Sequence, residues 1–101
     1  MSDTRIVAGY VNSSGKATGT NYTVHSSGTG HYSVTFDPPY QTIYGGSVTI
    51  ADGAGNASYS AIFTSHIATT GVSIKICNES GDPATRDFSF VFAGFGYAAN
   101  A

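Results

Sequence analysis

TGVSIKICNESGDPATRDFSFVFAGFGY, residues 70 to 97, is the stretch on which the fold of this 101-residue chain turns. Val72, Ile74 and Ile76 alternate with Ser73, Lys75 and Cys77; Phe88, Phe90 and Phe92 alternate with Ser89, Val91 and Ala93. A repeat of two is the period of a β-strand with one face on a core, so both runs read as strands contributing an apolar row to one interior. The polar segment between them, Asn78 to Asp87, reads as the loop of a closing hairpin. It holds Glu79, Asp82 and Asp87, half of the six acidic residues, and Arg86.

Working outward, the rest of the chain repeats this pattern. No window carries apolar residues at helical spacing, while Gly, Tyr and β-branched residues are abundant. Arg5 to Val11 reads as a strand with Ile6, Ala8 and Tyr10 on one face and Val7 and Val11 on the other; Asn12 to Gly19 reads as loop. Asn21 to His25 and His31 to Phe36 read as a hairpin around Ser26 to Gly30, where the glycines supply the positive φ of a tight reversal. Asp37-Pro38-Pro39 stops that strand, since proline cannot donate to a ladder. Tyr40 to Tyr44 reads as a crossing between sheets, Ser47 to Ala51 as a strand, Asp52 to Asn56 as a turn, and Ala57 to Ile67 as the next strand. Short strands separated by Gly or Pro predict an all-β antiparallel sandwich of about six to eight strands, one domain over residues 1–101.

Composition narrows the function classes. Charged residues make up 10% of the chain against about 25% in ordinary domains. Four Lys/Arg against six Asp/Glu, a net charge of -2, leave no basic stripe of the kind that phosphate backbones require, so nucleic acid is not the expected partner. Cys77 is the single cysteine, too few for an intrachain disulfide or a cysteine-based zinc site, and reads as a small buried apolar residue. The start MSDTRIVAGY has no basic-then-apolar leader pattern, and no stretch approaches the about 18 apolar residues of a spanning helix. We therefore expect no signal peptide and no membrane insertion, a reading compatible with an extracellular or virion-associated workplace. On the last strand, Val91, Ala93 and Phe95 make the second face apolar as well. That predicts a cover, either a loop of the same chain or a symmetric partner subunit, with a homotrimer as the expected assembly.

Candidate chemistry is sparse. His25, His31 and His66 stand in no nucleophile-elbow or metal-ligand spacing, which predicts a protein that is not an enzyme and holds no cofactor. Asp52-Gly53-Ala54-Gly55-Asn56 offers two oxygen side chains, far short of a calcium cage. The loop Asn78 to Asp87 is the richer candidate. Sugars are held by planar polar side chains that donate and accept in pairs, with an aromatic face against the C–H side of the ring. Asn78, Asp82, Arg86 and Asp87 supply the polar set, with Tyr59 or Tyr44 as a stacking surface. The plainer reading is a solvated loop in which Asp82 opens a turn before Pro83 and Arg86 pairs with an acidic neighbour.

The order RIVAGY at 5 to 10, VTFDPPY at 34 to 40, TGVSIKI at 70 to 76 and FSFVF at 88 to 92 resembles the H-type lectin family of small trimeric β-sandwich lectins. The same order, ending DFSFVFAGFG, is also similar to the C-terminal tip modules of phage tail fibres, which are often trimers. The lectin resemblance implies a glycan partner gripped between subunits, with the last-hairpin loop of that family corresponding to Asn78 to Asp87. The chain departs from the family in having no Trp, and in having neither His nor Tyr within that loop. The resemblances thus imply a carbohydrate-binding homo-oligomer or, alternatively, a structural or receptor-binding tip of a phage or bacterial surface fibre.

Overall fold

In the computed structural model, which describes residues 4–51 and 59–98, eight strands form two four-stranded antiparallel sheets and no helix. The strands are β1 (Thr4–Val11), β2 (Ala17–Gly19), β3 (Tyr22–Gly28), β4 (His31–Phe36), β5 (Thr42–Ile50), β6 (Ser60–Phe63), β7 (Gly71–Cys77) and β8 (Phe88–Phe95). The first sheet runs β2-β1-β8-β5 and the second β3-β4-β7-β6. This is the antiparallel β-sandwich that the alternation predicts.

The core lies between the sheets and is built from inward rows. Val7 and Val11 of β1 and Phe88, Phe90 and Phe92 of β8 meet Tyr22, Tyr32, Val34 and Phe36 of β3 and β4 and Val72, Ile74 and Ile76 of β7. Aromatic rings clasp across the gap, Tyr22 on Phe90 at 4.9 Å and Phe36 on Phe92 at 5.1 Å, both edge to face, the geometry favoured by ring quadrupoles. Tyr22 reaches so far into the first sheet that a Cβ on Gly9 would lie 2.3 Å from its hydroxyl, which is why β1 carries glycine at an inward position.

Four expectations are corrected. Residues 70 to 97 form no closing hairpin: β7 pairs with β4 and β6, whereas β8 pairs with β1 and β5, so the segment crosses from one sheet to the other. Alternation reports which face a side chain takes and is silent on which strand lies beside it. Ala17–Gly19, read as loop, is an edge strand on β1. The chain does cross between sheets here, but over residues 37–41 and so earlier than the Tyr40 to Tyr44 expected; Thr42 onward already belongs with the strand read from Ser47, in one strand interrupted by a bulge between Ile43 and Gly45. The Ser26 to Gly30 loop is shorter than read, because β3 continues to Gly28 and only Thr29 and Gly30 turn. The turn at Asp52 to Asn56 and the start of the strand read from Ala57 lie outside the described residues.

One end of the sandwich is locked by a buried cation. Arg5 shares the inward parity of Val7 and is only 5% exposed. Its guanidinium donates to the carbonyls of Pro38, of Pro39 at 3.0 Å and of Gly96 at 3.3 Å, and lies between the rings of Tyr40 and Tyr97 at 4.3 and 4.4 Å. Carbonyl dipoles and aromatic faces together take the place of a carboxylate. Tyr40 is fully buried, its hydroxyl 3.1 Å from the Arg5 carbonyl, and burial raises its phenol above the ordinary 10.0.

Candidate functional site

The loop end of the sandwich is opposite the Arg5 clamp, and the Asn78 to Asp87 segment dominates it. Asn78 closes the first half: its side-chain oxygen accepts from the backbone N–H of Ser80 at 2.9 Å and of Asp82 at 3.1 Å, while its own N–H donates to the Asp82 carbonyl. This is the Asx-type turn that the residue favours, and it uses the Asn78 oxygen within the loop. Lys75 donates from β7 to the Gly81 carbonyl at 3.1 Å. Pro83 then pairs with Cys77, and Ala84 donates to Ile76, so the chain doubles back along β7 before crossing to β8.

The second half lies closer against the sandwich than the exposed residues 79–83. The Arg86 guanidinium stacks on the Tyr59 ring at 4.1 Å, and both residues are half-buried. Asp87 ties two loops together, accepting from the Tyr10 hydroxyl and from the Ser13 N–H at 2.7 Å. Of the six candidate residues, Asn78, Asp82, Arg86, Asp87 and Tyr59 thus share one end. Asp82 and Glu79 are exposed beside the Asn78 turn. Tyr44 does not join them: it stands next to Ala93 and Gly94, six residues along β8 from Asp87, about 20 Å at the rise of a strand. The groups gathered at the loop end are therefore the Arg86–Tyr59 stack and the exposed Asp82 and Glu79 carboxylates.

The histidines do not converge. His25 lies opposite Ser33 and His31 opposite Lys75 on the outer face of the second sheet, and His66 follows β6. No hydrogen bond joins an imidazole to a hydroxyl or carboxylate among the described residues; the Ser65 hydroxyl donates to the His66 carbonyl instead. No group of three His, Cys, Asp or Glu side chains is placed to hold a metal ion among those residues. Cys77 is buried and its sulfur sits 3.1 Å from the Ser60 hydroxyl, consistent with the small apolar role expected of it.

One further surface lies outside the sequence expectations, and a second, the apolar outer face of β8, was among them. The outer face of the second sheet is hydroxyl-rich, with a depression of about 490 Å³ bordered by Ser33, Thr35, Thr70, Ser73 and His66. The outer face of the first sheet is apolar. Ile6 and Ala8 lie across from Ala93 and Val91, and Tyr44, at the β5 bulge, is 66% exposed. The bulge is the signal that period-two reading lacked, since an inserted residue takes its side chain out of the alternation. No family model matches the chain, and no curated protein or solved structure is similar to it, so the functional reading rests on this geometry.

Proposed function

We propose that this chain is a non-enzymatic carbohydrate-binding module that works as a homo-oligomer, one surface joining copies and the others displaying polar groups to a glycan. The observation that carries the reading is the opposed chemistry of its outer surfaces. The outward rows of the first sheet carry no charge and centre on Ile6, Ala8, Val91 and Ala93 with hydroxyls around them, whereas the second sheet and the loop end carry imidazoles, Lys75, Arg86, Asp82 and Glu79. A sugar-binding module gains affinity by presenting several weak sites together, and an apolar face opposite polar ones suits that arrangement. The contact set proposed for the sugar is Arg86 on Tyr59, with Asp82 and the Asn78 amide beside it.

The test is retention of the oligomer on a glycan array, with mass measured by light scattering. Arg86→Ala is expected to weaken retention about tenfold or more while leaving assembly intact. An assembled protein that retains no glycan overturns the carbohydrate reading. It would favour the alternative of a structural fibre tip, which the apolar face alone supports. In that alternative the working surface is not the phenylalanine row of β8, because Phe88, Phe90 and Phe92 point into the core; it is the opposite row, Val91 and Ala93.

A further inference from the structure

The outer face of the first sheet carries a projecting aromatic and a hollow side by side. Across its three longer strands the outward positions align as Thr4, Phe95 and Thr42; Ile6, Ala93 and Gly45; Ala8, Val91 and Ser47; Tyr10, Ser89 and Thr49. None of these side chains is charged, and Ile6 is 55% and Val91 43% exposed. Tyr44 projects at the bulge. Immediately beyond it Gly45, Gly46 and Ser47 leave a depression of about 330 Å³ over Val91 and Ala93. A Cβ built on Gly45 meets nothing within 4 Å, and its φ of +150° is one that residues with side chains rarely adopt, so the hollow is a consequence of the backbone that the bulge imposes.

We infer that this face is the contact between two copies of the chain, packed sheet to sheet about a two-fold axis near Val91, with Tyr44 of each copy seated in the glycine hollow of the other. This rests on the homo-oligomer reading above and specifies its symmetry. Two observations favour a second copy over other occupants, and the area of the face sets how tightly it would bind. Projection and hollow occur on the same face, the condition for a self-complementary patch under two-fold rotation. The outward rows offer no Lys or Arg of the kind that ring a lipid-binding surface. Three strands of eight or nine residues and an edge strand of three present about 430 Å² per copy, so a pair would bury about 850 Å², below the about 1,000 Å² of a stable specific interface and in the range of transient ones. The pair should therefore be weak and exchange readily.

Val91 is one of the two inner outward residues of the central strand β8, and with the two-fold axis placed beside it Val91 meets its own counterpart. The experiment is sedimentation or light scattering from micromolar to millimolar concentration on the parent, V91K, V91E and an equimolar mixture of the two variants. The parent is expected to approach twice the monomer mass of 10.4 kDa as concentration rises. Each charged variant alone should remain monomeric, and the mixture should recover the pair. Tyr44→Ser should weaken pairing about tenfold. Should either Val91 variant lose its cooperative thermal transition, Ser47→Lys and Ser47→Glu, on the neighbouring strand, supply the same cycle. A stable mass of three monomers, a monomer at every concentration, or folded variants whose mixture does not pair would each overturn the two-fold arrangement. A trimer that retains glycan overturns it while leaving the proposed function standing. A dimer that retains none does the reverse for the carbohydrate half of that proposal.

Discussion

The two outer faces of the sandwich are backed by one core and built from the same period-two strands, yet their chemistry is opposite. On the second sheet the outward positions are Thr23, His25, His31, Ser33, Thr35, Ser73 and Lys75, with Ile62 the one large apolar exception. On the first they are Ile6, Ala8, Tyr10, Val91 and Ala93 with small hydroxyls along β5. Water requires the polar rows of the second face and gives no reason for the apolar rows of the first. An inward row reports folding; an outward row reports what the protein meets once folded.

The largest expected effect tests whether both faces do depend on one core. Phe92 touches Phe36 and Phe63 of the second sheet, so Phe92→Ala should cost about 3 to 5 kcal/mol and lower a single cooperative transition in urea. Two separate transitions would mean that the sheets are independent and the comparison ill-founded. Alkaline titration probes the same interior. Burial raises the phenols of Tyr22, Tyr32 and Tyr40 above their ordinary 10.0. Above that value the unfolded chain releases protons that the native state retains, so stability is fully present below pH 10 and declines as pH rises through the raised native values. Tyrosinate absorbance is expected to appear for these three residues together with unfolding; their free titration in a folded protein would contradict the burial.

Gly9→Ala is a smaller perturbation of the seam. The new methyl would collide with the Tyr22 ring, and a loss of about 1 to 3 kcal/mol in denaturant titration is expected, with Tyr22→Leu relieving part of it. The smallest effects on stability are at the outward rows. Val91→Ser on the first face and Ser33→Val on the second should each change monomer stability by no more than about 0.5 kcal/mol. They should differ in association: the first should reduce binding of a hydrophobic dye and self-association, the second should not. Equal behaviour of the two variants would erase the distinction between the faces.

Inside and outside were readable along most of the chain. Val7, Val11, Phe88, Phe90 and Phe92 lie in the core as their alternation requires, and the Gly28 to Gly30 reversal uses positive φ at both glycines. The loop candidates proved partly legible. Asn78 takes up a local Asx-type turn, which its residue type favours, but the Asp87 bond to Tyr10 spans 77 residues and no local pattern announces it. The carbonyl cage around Arg5 is similarly distant, joining β1 to residues 38, 39 and 96.

By itself the amino-acid sequence determined that this chain is all-β, which residues of each strand face inward, and where most reversals fall. These are properties of local sterics and of a two-residue period, and they need no knowledge of neighbours. Only the tertiary structure decided that β7 and β8 belong to different sheets, that Arg5 is caged by carbonyls, and that a bulge turns Tyr44 out beside a glycine hollow. Each depends on which strand lies next to which, and alternation is the same whether a strand pairs with its sequence neighbour or crosses the core to another partner.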